Sequence, residues 1–243
     1  MSLIDHLTEL RKRLVVSFVA IAIGVIVGWL AFDWIIDLLI EPYCQVVETD
    51  QDCQLYARSP LTFFNVKLTI AGYSGLIMAM PVILWQVWQF VAPGLYSHEK
   101  KYAIPFIASA VTLFFLGAGL AYWSIPKALD WLISLGGDNF EELFDPSEYF
   151  SFVVKMMLAF GIGFEFPIAL VFLQILGLVD NKTLRSGRRY AIVGIVALVA
   201  VITPSGDPFT LAVLSVPMYL FYEISILFGR IRIRRANKAA ATA

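Results

Sequence analysis

Charged side chains are scarce in this sequence. Asp, Glu, Lys and Arg make up 15% of its 243 residues and hydrophobic residues 59%, whereas an average soluble domain is about a quarter charged. This composition excludes an ordinary water-soluble fold. Since a helix of about 20 residues crosses a bilayer core of about 30 Å, the chain has room for several membrane-spanning helices joined by short loops.

Residues that bind metals or carry out catalysis are also few. The chain has two cysteines and two histidines, and His6 and His98 lie far apart without neighbouring ligand types. The sequence contains no phosphate-binding loop and no paired nucleophile and base. We therefore expect a protein that is not an enzyme, holds no metal or cofactor and binds no nucleic acid.

Six apolar windows predict an all-α integral membrane protein in which residues 1–243 form a single polytopic domain. The windows are residues 14–32, 68–91, 102–126, 156–179, 190–203 and 209–228. Residues 190–203 would extend over about 21 Å, so the last two helices, separated by the Pro- and Gly-rich turn at 204–208, are predicted to be short spans. Residues 1–13 are predicted to form an amphipathic cytoplasmic segment, and residues 229–243 a basic cytoplasmic tail.

The distribution of positive charge predicts the orientation. With both termini in the cytoplasm, every Lys and Arg except Arg58, Lys67, Lys127 and Lys155 lies on the cytoplasmic side, in agreement with the positive-inside rule. The outer side then holds two acidic loops, residues 33–65 and 127–150. The net charge of −1 therefore combines a basic inner side with an acidic outer side.

The two cysteines, Cys44 and Cys53, both fall in the first outer loop. An oxidising compartment on that side would allow them to form a disulfide. Two free thiols are the alternative, because the spacing of two cysteines along a chain fixes no geometry between them.

Two carboxylates near the cytoplasmic side have two interpretations each. Asp5, Glu9 and Arg13 follow one another at i, i+4 spacing, which is typical of a surface ion pair but also presents Glu9 to a basic ligand. Glu99 follows Ser97 in the first turn of the third predicted helix. A carboxylate there suits the positive end of the helix dipole, or it accepts a guanidinium through two hydrogen bonds.

Three more carboxylates lie in the second half of the chain. Glu165 lies about ten residues into an apolar window. Burying its charge in lipid costs about 2.5–3.5 kcal/mol, so Glu165 is either a functional group or a protonated side chain that satisfies a helix contact. Asp207 is predicted to be an exposed turn residue between the last two helices, and Glu223 is predicted either to snorkel to the membrane surface or to pair with Arg230 or Arg232.

Four motifs occur in order along the chain. They are residues 6–14 (HLTELRKRL), 90–100 (FVAPGLYSHEK), 160–167 (FGIGFEFP), and Thr203-Pro204 followed by Asp207. Together with the six predicted helices, these motifs resemble those of the TatC family. The resemblance implies a concave, cupped receptor in the bacterial cytoplasmic (inner) membrane, which binds twin-arginine signal peptides and takes part in the export of folded proteins. It also implies an oligomeric complex in the lipid bilayer with TatA- and TatB-like single-span proteins.

The resemblance also assigns roles to particular residues. It implies that Glu9 and Glu99 receive the arginine pair of the signal peptide, and that Arg11, Phe90 and Tyr96 shape this cytoplasmic surface. The family's further functional positions would be Pro42, Tyr122, Glu165 and Asp207. Among them, Glu165 would lie in the concave face as a polar contact for partner helices.

The alternative function is a proton- or ion-coupled secondary transporter in which Glu165 relays the ion. Such transporters usually contain paired halves and a chain of polar groups across the membrane. The sequence shows neither feature, since Gln174 is the one other strongly polar side chain in the helix of Glu165. This difference favours the receptor.

Overall fold

The computed structural model of the chain describes residues 3–47, 53, 55–57, 59–91, 103–135, 144–175, 177–204 and 206–241. Within these residues all regular secondary structure is helical, which confirms the all-α prediction. The helices are α1 (Leu3–Leu30), α2 (Phe32–Cys44), α3 (Pro60–Val91), α4 (Ala103–Ser134), α5 (Pro146–Ile175), α6 (Asn181–Ser186), α7 (Arg188–Ile202) and α8 (Pro208–Ala241).

Three of the long helices begin at a proline, namely α3, α5 and α8. Proline suits the first position of a helix, because its fixed φ is helical and the N–H group that it lacks would have no intrahelical partner there. The long helices extend beyond the apolar windows, because polar residues at a membrane surface can continue a helix until a turn signal stops it. α1 accordingly runs unbroken from Leu3 through the residues predicted to form a separate amphipathic segment.

Five helices, α1, α3, α4, α5 and α8, are long and apolar enough to cross a membrane. α7 has 15 residues, which extend over about 22 Å and fall short of a bilayer core of about 30 Å. The short helix predicted over residues 190–203 thus lies at Arg188–Ile202. Two helices were not expected from the sequence: α2, in the loop between the first two predicted spans, and the short α6.

α5 lies at the centre of the fold. It packs against α3, α4 and α8, and its residues Val153, Met156 and Phe160 are fully buried. α1 lies at the edge and packs mainly along α3. Most of the α1 surface therefore faces outward, as Phe18 and Ile26 show with exposed fractions of 66% and 61%.

Small residues form the contact between α1 and α3, which is here called the seam. Gly24 and Gly28 of α1 lie opposite Gly75 and Ala71 of α3. A Cβ atom at Gly24 would lie 2.5 Å from the Gly75 oxygen, and one at Gly28 would lie 3.1 Å from the Ala71 oxygen. The two backbones are therefore as close as the small-xxx-small pattern of membrane helices allows.

Hydrogen bonds from two tyrosines hold α2 across the ends of α4 and α5. Tyr122 of α4 donates to the Leu38 oxygen and Tyr149 of α5 donates to the Leu39 oxygen, each at 2.8 Å. The end of the molecule formed by residues 31–44, 122–135 and 144–150 is here called the acidic end. Its acidic residues are Asp33, Asp37, Glu41, Asp130, Asp145 and Glu148.

The opposite end, here called the basic end, comprises residues 3–13, 86–91, 104–107, 172–175, 177–190 and 222–241. Its helices meet through aromatic and ionic contacts: the Trp88 ring lies 4.6 Å from the Phe106 ring and 5.6 Å from the Phe172 ring, and Arg188 pairs with Glu223 at 2.7 Å. The basic residues of this end up to residue 230 are Arg11, Lys12, Arg13, Lys182, Arg185, Arg188, Arg189 and Arg230.

Candidate functional site

A carboxylate, a guanidinium and two amides meet at the basic end. Arg13 of α1 donates from Nη2 to Glu9 Oε1 at 3.2 Å, and from Nη1 to Gln86 Oε1 at 3.2 Å and to Gln89 Oε1. Glu9 and Arg13 face the same way because they are four residues apart on one helix. Their side chains are 20% and 26% exposed, so Glu9 is reachable from solvent, although one of its oxygens is already bound.

Phe90 and Arg11 lie at the same end as Glu9. The Phe90 ring, at the end of α3, stacks on the ring of His6 with centroids 4.4 Å apart, and Arg11 is exposed on α1. Three of the five predicted signal-peptide residues, Glu9, Arg11 and Phe90, therefore lie at the same end of the molecule. The other two, Tyr96 and Glu99, lie outside the described residues.

Glu165 lines an apolar cavity of about 240 Å³ between α3, α4 and α5. Its neighbours in the wall include Trp88, Phe106, Ile107 and Phe172. Glu165 Oε1 is buried and accepts no hydrogen bond from any residue in the described parts of the chain. A buried carboxylate oxygen without a donor is costly, so the cavity suits a polar group supplied by another molecule.

Two more predicted positions lie at the acidic end, apart from Glu165. Pro42 is buried within α2, and the Tyr122 hydroxyl donates to the Leu38 oxygen one turn before it. A disulfide joins Cys44, the last residue of α2, to Cys53, with Cα atoms 5.2 Å apart. These residues fix α2 in place, which indicates an architectural contribution from Pro42 and Tyr122.

Asp207 differs from its prediction. The sequence predicts an exposed turn residue, but Asp207 is 1% exposed. Its Oδ1 accepts a hydrogen bond from the Thr210 amide at 2.7 Å, and the Thr210 hydroxyl donates to Oδ2. Asp207 thus caps α8, where free N–H groups and the helix dipole favour a carboxylate, and it directly follows Gly206, whose φ is +60°.

Glu223 also has a different partner from the one predicted. It pairs with Arg188 at 2.7 Å and accepts a hydrogen bond from the Tyr219 hydroxyl at 3.1 Å. The predicted partners follow Glu223 on the same helix, whereas Arg188 reaches it from the start of α7. No group of three or more His, Cys, Asp or Glu side chains suited to a metal ion occurs among the described residues.

Residues 5–217 match the family described as Sec-independent protein translocase protein (TatC). The chain belongs to the TatC family. It is 38% identical over 244 residues to the TatC protein of Aquifex aeolicus, a match that covers 98% of both chains. It is 35% identical over 251 residues to the TatC protein of Frankia casuarinae, covering 100% of this chain and 69% of that relative.

The fold is similar to that of a crystal structure of the twin arginine translocase receptor TatC in DDM. The two chains are 38% identical, with a TM-score of 0.78, and the match covers 92% of this chain and 99% of the other. The resemblance to TatC inferred from the four motifs is confirmed, and so is the expected role as a subunit of the twin-arginine translocase in a membrane. The comparisons give no support to an ion-coupled transporter.

Proposed function

We propose that the chain is the receptor subunit that binds twin-arginine signal peptides, and that it crosses the bacterial cytoplasmic membrane six times with both termini inside. Support for this orientation comes from the charges, since Lys and Arg collect at the basic end and cytoplasmic segments of membrane proteins are enriched in them. α7 is the sixth crossing. It starts at the basic end, where Arg188 meets Glu223, and α8 brings the chain back to that end.

In this proposal the two arginines of the signal peptide bind Glu9 and Glu99. The observation that carries the proposal is the position of Glu9, a partly exposed carboxylate that Arg13 links to the end of α3. In the sequence, the segment that contains Tyr96 and Glu99 follows this end of α3. A guanidinium meets a carboxylate through two parallel hydrogen bonds, whereas lysine offers one compact, strongly hydrated charge. Basic residues elsewhere at this end repel the arginines of the peptide. Binding is therefore favoured at the sites that contain a carboxylate.

Phe90 and Arg11 have separate parts in the proposed site. The Phe90 ring, stacked on His6, offers an apolar surface on which the stem of an arginine side chain can lie. Arg11 adds positive charge on α1 near Glu9 and so discourages a cation from binding outside the carboxylate. Tyr96 is the remaining residue that the family resemblance places in this site.

The cavity at Glu165 is the proposed contact for partner proteins. It opens on what we propose is the concave, cupped face of the receptor. A TatA- or TatB-like single-span helix with a polar residue could donate a hydrogen bond to Glu165 Oε1, which accepts none from the described residues. Hydrogen bonds between polar side chains contribute to the association of membrane helices. This contact would therefore help to assemble the oligomeric complex.

A binding series on the purified protein tests the proposed receptor site. Twin-arginine and twin-lysine peptides are titrated against the wild type, Glu9→Ala, Glu99→Ala and the double variant. We expect each single substitution to weaken twin-arginine binding about tenfold, because one charge-assisted hydrogen-bonded pair is worth about 1.5–3 kcal/mol and about 1.4 kcal/mol is already tenfold.

Asp180→Ala is the matched control, since Asp180 is an exposed acidic residue of the basic end that has no part in the proposed site. It should leave both affinities unchanged. If Glu9→Ala and Glu99→Ala keep the wild-type affinity and the preference for arginine, the signal peptide binds elsewhere.

A further inference from the structure

A basic pocket lies on α6 and the start of α7. Its volume is about 430 Å³, and it is lined by Asn181, Lys182, Arg185, Ser186 and Arg188. Lys182 and Arg185 are exposed, and neither forms an ion pair with a residue of the described ranges. Arg188 is paired with Glu223, but its Nε is buried and donates to no described residue. The pocket therefore holds two cations that form no ion pair with the part of the chain that the structure describes.

Two hydrogen bonds set the position of this pocket along α8. The Tyr222 hydroxyl donates to the Leu184 oxygen and the Asn181 amide donates to the Ile226 oxygen, both at 2.6 Å. After Glu223, α8 has no charged residue until Arg230, which is four residues, or about 6 Å, beyond Ile226. The pocket therefore lies beside an apolar helix surface, at about the level where the hydrocarbon core meets the headgroups.

Exposed apolar side chains lie next to the pocket-lining residues in sequence, on α7 and just before α6, and next to Tyr222 and Ile226 on α8. Ile224 and Leu227 of α8 are 56% and 52% exposed, and Tyr190 and Val193 of α7 are 82% and 69% exposed. Leu178, before α6, is 71% exposed. Tyrosine is enriched where membranes meet water, so these residues are suited to contact acyl chains while the basic side chains reach the headgroups.

We propose that this pocket binds the phosphate of an anionic phospholipid, such as phosphatidylglycerol, from the leaflet that faces the basic end. Lys182 and Arg185 supply two cations without an ion-pair partner among the described residues, and Arg188 supplies a third that is shared with Glu223. Basic pockets between membrane helices at a cytoplasmic surface are suited to anionic headgroups. The proposal depends on neither Glu9 nor Glu165, so it stands or falls apart from the receptor site.

The test compares lipid binding by the full chain in detergent. Phosphatidylglycerol, phosphatidylcholine and inorganic phosphate are titrated separately, thermal stability gives the apparent affinity, and native mass spectrometry counts the retained lipid. We expect phosphatidylglycerol alone to stabilise the wild type. Lys182→Gln and Arg185→Gln should each weaken it about fivefold, because each basic side chain at an anionic surface contributes about that factor.

Arg189→Gln is the matched control, because Arg189 is exposed on the same turn of α7 as Arg188 but does not line the pocket. It should keep the wild-type affinity. Equal weakening by Arg189→Gln would show a diffuse charge effect and overturn the pocket. Equal stabilisation by phosphatidylcholine would overturn the anionic selectivity, and equal stabilisation by inorganic phosphate would show a free-anion site in place of a lipid site. All variants should keep their melting temperature without added lipid, since both substituted side chains of the pocket are exposed.

Discussion

Replacing Gly75 with Ala should weaken the packing of α1 on α3, because the new methyl group would meet the backbone of α1. A Cβ atom at Gly75 would lie 2.7 Å from the Val25 Cα atom, whereas carbon atoms in contact are normally about 3.5–4.0 Å apart. The helices would have to separate by about 1 Å. Overpacking of this kind costs about 1–3 kcal/mol.

Gly72→Ala isolates that cost. Gly72 lies on the same helix, one turn away, and a Cβ atom there would meet nothing within 4 Å. Both substitutions gain about 1 kcal/mol of helix propensity, so this gain cancels when the two variants are compared. The Gly75→Ala protein should therefore be less stable than the Gly72→Ala protein by about 1–3 kcal/mol.

The assay is unfolding in mixed micelles with increasing denaturing detergent, followed by circular dichroism. Peptide binding at the basic end serves as a second measurement, because Arg13 connects the same two helices through Gln86 and Gln89. If Gly75→Ala unfolds at the same or a higher detergent fraction than Gly72→Ala, then α1 and α3 are not in close contact at Gly75, and the reasoning from the seam is refuted.

Three further predictions concern other parts of the molecule. Glu165→Ala should reduce export and partner assembly while sparing peptide binding, and Glu165→Gln should be milder because an amide still forms hydrogen bonds; full export by Glu165→Ala would contradict this. In cells whose native cysteines are replaced, an impermeant thiol reagent should label a cysteine at Asp130 but not one at Ser186, and the reverse pattern would overturn the proposed orientation. Arg13→Gln should tighten twin-arginine binding by up to about fivefold, since a partly exposed ion pair of about 0.2–1 kcal/mol no longer occupies Glu9; weaker binding by a folded Arg13→Gln protein would mean that Arg13 positions Glu9.

The long helices were predictable because lipid tolerates little charge. Each span therefore appears as an uninterrupted apolar window, whatever it packs against. α2 was missed because it has only 13 residues and three acidic side chains interrupt its apolar ones. Its sequence nevertheless holds the signal, since Asp33, Asp37 and Glu41 recur every four residues on one face while Ile35 and Leu39 are buried on the other.

The packing partners of single side chains were less predictable. Asp207 was expected to be exposed, but it is buried, because the packing around the start of α8 depends on the whole fold. Glu223 was expected to pair within α8, but Arg188 comes from another helix, and no local pattern predicts that contact. The seam of α1 is an intermediate case, because Gly24 and Gly28 have the spacing of a membrane helix contact, although their partners on α3 are fixed only by the fold.

The seam between α1 and α3 has a consequence for biosynthesis. α1 ends at Leu30 and its partner helix ends at Val91, so 61 residues must be added after α1 is complete before the seam can close. At about 5–20 residues per second, this takes about 3–12 s. During that time α1 must remain in the membrane alone, with Gly24 and Gly28 facing lipid. The rest of its surface is apolar, so α1 is stable in lipid during this time. Another copy of α1 in the same membrane could pack against Gly24 and Gly28, and the newly inserted α3 must compete with it for that surface.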